Sequence, residues 1–263
     1  DYDLTKEDSL NTYLEKTSKL SDKWEEEKDE IEAEAQASDA WSEYKITLKP
    51  SDFFLFGSGF GDDDADMTPV KEALISWSEQ GIPEFKNQTV LIPATSLKGA
   101  LAHRVAYHFN RIKHCFADKI DPIEYEKIVG KNNEAVKALF GSEGEKDGKE
   151  MKNQLCGNIL FSDIIKEDDA KPTILNHVAI DRFTGGAIDG ALFSEKTTNG
   201  IGHEYTTTLY VKKNILTDNI KDALEAALKD LCNGMLPLGG GVNRGNGIFS
   251  GSLTIDGEVK KWD

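Results

Sequence analysis

Residues 238–248 read LGGGVNRGNGI, and seven of these eleven are glycine or asparagine around a single charge, Arg244. Just before them, Ile220, Ala223, Leu224, Ala227, Leu228 and Leu231 recur at helical spacing, with Gly234 placed where a helix would stop. Just after them, GIFSGSLTI reads as a final strand. The chain must therefore leave a helix, reverse through a hinge of backbone-permissive residues and enter a strand. Glycine in such numbers costs conformational entropy on folding. Two accounts offset that cost. One is a tight connection that needs positive φ; the other is backbone N–H groups held open for an anion, with Arg244 adding bidentate phosphate contacts. The stretch is neither GxxxxGK[ST] nor a strand-to-helix GxGxxG, which excludes both nucleotide fingerprints.

Upstream, SEYKITLKP alternates Tyr44, Ile46 and Leu48 toward one side, as a first strand does. TVLIPATSLKGALAHRVAYHFNRI predicts a short strand, a Pro-marked turn and a helix starting near Thr95 or Ser96. In that helix Leu97, Leu101, Val105 and Ile112 share a face, while Arg104 and Arg111 share another. NILFSDI, TILNHVAI and HEYTTTLYVKK are further strand candidates. The order strand, helix, strands, helix, strand predicts an α+β, ferredoxin-like core. Residues 1–43 form a separate acidic extension, helical over about 4–37. Residues 114–156 read as a polar insertion with a mobile loop at 141–153.

Net charge is −16, which disfavours a polyanion partner until its distribution is considered. Residues 1–43 hold 15 acids and 5 lysines, so −10 of the total lies there. Residues 85–117 contain no acid but carry Lys86, Lys98, Arg104, Arg111, Lys113 and three histidines; residues 231–255 contain no acid and carry Arg244. Local sign governs contact with a polyanion. Cys115, Cys156 and Cys232 form no CxxC pair, so reduced structural thiols and no zinc site are expected. No apolar run approaches 18 residues, and no basic-then-apolar leader opens the chain, so neither a membrane span nor a secretory signal is expected. The chain opens on Asp1 rather than Met, which leaves both a trimmed chain and a piece of a longer one open.

Four stretches carry chemistry. IPATSLKGALAHR offers a helix entrance with exposed amides, Ser96 and Lys98 in its first turn, an anion site or an ordinary capped helix. LGGGVNRGNGI is the second. HVAIDRFTGGAIDGALFSEK suggests a hairpin that projects and returns, carrying Arg182 and Phe183; an exposed ring there can stack on a base. GDDDADMTP places Asp62, Asp63, Asp64 and Asp66 within five residues, as a divalent-ion site or as a solvated loop.

Together these stretches resemble the RAMP superfamily, the repeat-associated proteins of type III CRISPR effector complexes. IPATSLKGALAHR resembles that family's IPGSSLKGALR signature, with Ala94 where the family usually has Gly. LGGGVNRGNGIFSG resembles its glycine-rich loop, and VAIDRFTGGAIDGALF a motif of the backbone subunits that line the guide. The resemblance spans about residues 44–255; the acidic N-terminal helix has no counterpart in it.

The resemblance implies a modified RNA-recognition-motif core with a thumb hairpin at about 182–203. Ser96, Lys98, Arg104, Gly240, Gly241, Asn243 and Arg244 would then hold guide RNA, with Arg182 and Phe183 on the thumb. It also implies stacking with other RAMP subunits along a cytoplasmic ribonucleoprotein. Members that cut use an aspartate in the loop after the first strand. Asp66, followed by Thr68-Pro69-Val70, matches best and Asp64 next, with Mg or Mn as the metal and His103 as an acid–base helper. The rival readings are a catalytically inactive structural subunit of the same complex, a stand-alone endoribonuclease that processes guide precursors, and an acidic domain with no RNA at all.

Overall fold

The alternation at 44–48 is realised as the central strand of the main sheet. The computed structural model describes residues 5–15, 40–78, 82–147, 150–165 and 172–262. The expected acidic helix over 4–37 therefore lies largely outside the described residues; within them, α1 (Glu7–Leu14) is helical, with Glu7 and Asp8 in its first turn. Contacts divide the chain into two units, one of residues 1–39 and 75–85, the other of residues 40–74 and 86–263.

In the larger unit, β1 (Trp41–Pro50) buries Tyr44, Ile46 and Leu48 and turns the residues between them outward. A two-residue strand, β2 (Phe53–Phe54), follows. The chain then passes through the acidic loop to β3 (Lys71–Trp77) and β4 (Pro83–Ile92). The helix α2 (Ala94–Ile112) begins a little earlier than Thr95 or Ser96, because Pro93 occupies the cap position with φ −66° and its carbonyl accepts from the Ser96 and Leu97 amides. Neither hydroxyl caps it. The Ala94 amide instead donates to Asp163 Oδ1 at 2.6 Å. The apolar face is as expected: Leu97, Leu101 and Val105 are buried, joined by Phe109.

The insertion at 114–156 holds more structure than its composition suggests. It contains α3 (Pro122–Ile128), α4 (Glu134–Phe140) and a ribbon of β5 (Glu145–Asp147) and β6 (Glu150–Lys152). The expectation of a mobile loop at 141–153 is thus corrected to a paired ribbon. Asn133 caps α4 by accepting from the Ala135 and Val136 amides, and Ala135, Val136, Leu139 and Phe140 join the core.

Two short strands, β7 (Ile159–Phe161) and β8 (Ile164–Ile165), lead to the hairpin of β9 (Pro172–His177) and β10 (Phe193–Asn199). The expected projection at 182–203 divides here. Residues 178–192 are the connection, whereas 193–199 are a strand that pairs with β9 on one edge and β2 on the other. The chain closes with β11 (Tyr205–Lys212), α5 (Asp218–Cys232), β12 (Phe249–Ile255) and β13 (Glu258–Val259).

The main sheet runs β13-β12-β1-β11-β7, with every pairing antiparallel. All six apolar positions expected on α5 are buried, and they share one core with α2, α4 and the inward residues of β1, β11 and β12. Gly234, at φ +75°, follows the last helical turn as its spacing suggested. The protein is α+β. Its three cysteines are unpaired; burial pushes the Cys232 thiol up to about 11.

The two core helices are also joined by a polar tie. Arg104 Nε and His108 Nε2 on α2 both lie against Asp230 Oδ2 on α5, at 2.5 and 2.6 Å. Burial alone would raise the Asp230 carboxyl, but the hydrogen bonds from His108 and Arg104 outweigh it and hold the group below its ordinary value. A depressed carboxyl stabilises the fold above its unfolded value, near pH 4, and that contribution fades as pH falls through the folded one. Asp230→Asn is therefore expected to cost about 2 kcal/mol at pH 7. It should also flatten the acid limb of a stability-versus-pH curve measured by urea unfolding.

Candidate nucleic-acid interface

The glycine hinge is folded onto the β2 segment by its backbone. Gly240 N–H donates to Leu55 O at 2.7 Å, Gly247 N–H to Phe53 O at 2.8 Å, and Leu238 N–H to Gly247 O at 2.8 Å. Gly239, Gly241, Gly245 and Gly247 all have positive φ, and residues 242–244 form one 3-10 turn. A Cβ on Gly247 would fall on the Leu238 carbonyl, and one on Gly239 on that of Leu55. Close backbone packing at Gly239 and Gly247, and positive φ at Gly241 and Gly245, are therefore sufficient reason for these glycines.

That folding aims Arg244 and Asn246 at β10. Arg244 Nη2 meets Glu195 Oε2 at 2.6 Å, and Asn246 Nδ2 donates to Glu195 Oε1 at 3.3 Å. Glu195 is fully buried, whereas about a third of the Arg244 side chain stays open. The guanidinium also lies 5.4 Å from the centre of the Phe193 ring, on which His177 stacks at 4.8 Å. His177 Nε2 comes within 3.0 Å of Glu195 Oε1, without the alignment of a hydrogen bond.

The neighbours of Glu195 on β10 hold the acidic loop. Asp66 Oδ2 accepts from the Ser194 amide at 2.8 Å and its hydroxyl at 3.1 Å, and these bonds lower the Asp66 carboxyl below its ordinary value. Lys196 Nζ lies 2.5 Å from Asp62 Oδ2 and 2.8 Å from Asp64 Oδ2. Its ammonium lowers the Asp62 carboxyl, and the two carboxylates raise Lys196. Three consecutive residues, Ser194, Glu195 and Lys196, thus gather two stretches more than 170 positions apart. β10 gave no strand signal of its own in the sequence; the FSEK that carries it was visible only as the tail of a projecting hairpin.

A divalent ion in this loop was expected on Asp66 and Asp64. Among the described residues, no group of three or more His, Cys, Asp or Glu is placed to hold a metal. Lys196 already answers Asp64, and Ser194 takes one oxygen of Asp66. With those oxygens engaged, Asp64 and Asp66 by themselves do not fit a resident ion.

The other expected residues lie apart from this cluster. Lys98 lines a cavity of about 590 Å³ with Lys131 and Lys137 from the insertion, and no hinge residue lines it. Those two lysines were missed because the insertion read as polar linker. Arg104 is engaged by Asp230, and His103 lines a different cavity. Ser96 is half-buried in the first turn of α2, and Asn243 is exposed in the 3-10 turn. On the hairpin connection, Asp181 accepts from the Phe183 and Thr184 amides at 2.7 and 2.9 Å. That turn leaves Arg182 exposed and Phe183 completely so. No helix among the described residues is long and apolar enough to cross a membrane.

A family model described as RAMP superfamily matches residues 79–250, from the β4 region through the glycine hinge into β12. That is well over half of the chain, and the chain belongs to the RAMP superfamily. No curated protein matches it.

Proposed function

We propose that this chain is a guide-RNA-binding backbone subunit of a type III CRISPR ribonucleoprotein, and that cutting of the complementary target RNA depends on Asp66. The observation that carries this reading is the convergence on β10: acidic loop, glycine hinge and hairpin meet at Ser194, Glu195 and Lys196 in a member of the RAMP superfamily. The strand order β12-β1-β11-β7, with α2 after β1 and α5 between β11 and β12, supports a ferredoxin-like core. The hairpin with Phe183 at its tip supports a thumb.

In this reading Glu195 does not compete with RNA for Arg244. It fixes the guanidinium through one edge and leaves the remaining N–H donors for a phosphate. Lys98 and Lys137 add a second basic edge, beside Lys131, which is paired with Glu143 at 3.2 Å. Such contacts position the strand without reading its sequence, which is left to guide–target pairing. Asp66, exposed and held ionised by Ser194, is a weak base but a firm acceptor. It would hold the 2′-hydroxyl beside the scissile bond. The 2′-oxygen gives its proton to solvent and bonds to phosphorus as the bond to the 5′-oxygen breaks, leaving a 2′,3′-cyclic phosphate, and the 5′-oxygen takes up a proton from solvent.

Asp66→Ala is expected to retain salt-sensitive guide RNA while target cutting falls at least about a hundredfold, the scale of a lost positioned group. Unchanged cutting would remove the role of Asp66 and leave the structural subunit. No RNA retained by the wild-type chain at low salt would remove the whole reading.

A further inference from the structure

We propose that the outward face of α2 carries a second nucleic-acid contact, a pocket that takes one unpaired nucleobase together with its phosphate. This rests on the RNA-binding reading above and adds a site to it. A cavity of about 400 Å³ opens between α2 and residues 115–130, with His103, Tyr107, Arg111, Phe116 and Tyr125 on its walls. That volume lies in the range of small-ligand sites. Three of its rings stand open to solvent, Tyr107 by 54%, Phe116 by 39% and Tyr125 by 42%.

The chemistry of the walls selects the occupant. Exposed π-faces attract any flat heterocycle, and stacking of this kind is indifferent to base identity. Among the described residues no carboxylate lines the cavity, although the chain as a whole carries −16. Arg111 and His103 supply cationic or hydrogen-bonding edges at the same opening, and two cations lie at the rim: Arg104 4.9 Å from the Tyr107 ring and Lys119 5.3 Å from the Phe116 ring. A base with its phosphate satisfies both the rings and the arginine.

The pocket is also preformed. Asn110 Nδ2 donates to Ile128 O at 3.0 Å, and Asn110 Oδ1 accepts from Asn133 Nδ2 at 2.9 Å, so α2 is pinned to the insertion behind the cavity.

The test compares a fluorescent twelve-nucleotide polyuridine RNA with an abasic ribose-phosphate chain of equal length, by anisotropy on the full chain at fixed low salt. Wild type should favour the RNA that carries bases. Tyr125→Ala should weaken that RNA about five- to a hundredfold, the range for one lost stacking partner, and leave the abasic chain unaffected. Tyr107→Leu should do the same; because Tyr107 neighbours the Arg104–Asp230 tie, its melting temperature is read alongside. Arg111→Ala should weaken both probes alike. If folded Tyr125→Ala and Tyr107→Leu both bind polyuridine as wild type does, the pocket is overturned while RNA binding stands; a pocket built for a protein side chain would give this result. If wild type retains neither probe, the RNA-binding reading itself fails and the pocket with it.

Discussion

Arg244→Ala is expected to destabilise the protein by about 3–5 kcal/mol, because it strands a buried carboxylate. Glu195 has no exposure to solvent, and Arg244 is the fixed cation against it. Asn246 donates one hydrogen bond, which does not neutralise the charge, and His177 is out of alignment. In a domain of this size the loss corresponds to a fall of roughly 10 °C in melting temperature. The partner change separates charge from packing. Glu195→Gln in the Arg244→Ala background removes the stranded charge and keeps an acceptor for Asn246, and should recover at least half of the loss in a double-mutant cycle. A single-variant loss below about 1 kcal/mol would mean that the pair is held only at the surface, with the median worth of an exposed ion pair.

The second large effect concerns the glycines. Gly247→Ala should cost about 3–4 kcal/mol. A left-handed φ of +73° costs a Cβ-bearing residue about 1–2 kcal/mol. The added carbon also falls on the Leu238 carbonyl. The hinge must then shift, weakening the Gly247-to-Phe53 and Leu238-to-Gly247 hydrogen bonds at about 1 kcal/mol each. Gly245→Ala is the matched control. Its φ is +93°, but nothing lies within 4 Å of its Cβ, so only the backbone strain of about 1–2 kcal/mol remains. Chemical denaturation of both variants checks the difference. Equal losses would show that φ, and not the close approach to Leu238, is what position 247 requires.

These two predictions meet in one place. The glycines bring the hinge backbone against Phe53–Leu55, and that placement carries Arg244 and Asn246 to Glu195. A hinge shift should therefore weaken guide RNA as well as stability, whereas Gly245→Ala should leave the RNA nearly untouched.

Periodicity alone was enough for β1, α2, β11, α5 and β12, since each carries an apolar repeat long enough to be read against its own geometry. The stop at Gly234, the reversal after it and the two acid-free windows were equally local properties. They also supplied the motifs by which the family was recognised. The short elements were not legible. Two turns of α4, capped by Asn133, are too few for a helical period to declare itself within a polar insertion. β10 has mixed composition because it serves two tasks at once, with Ser194 and Lys196 turned to the acidic loop and Glu195 to the hinge.

Pairing was the larger gap. The sequence shows that Asp66 is acidic and Arg244 basic, but Coulomb attraction has no register. Only the docking of β2 on β10, and of the hinge on Phe53–Leu55, decides that Arg244 meets Glu195 and that Lys196 lies between Asp62 and Asp64. Likewise, Arg104 sits in an acid-free window of the chain, yet packing of α2 on α5 delivers Asp230 to it from 126 positions away. Element type follows from neighbours along the chain. The partner of each charge follows from neighbours in space, which the core sets through burial of groups that carry no charge at all.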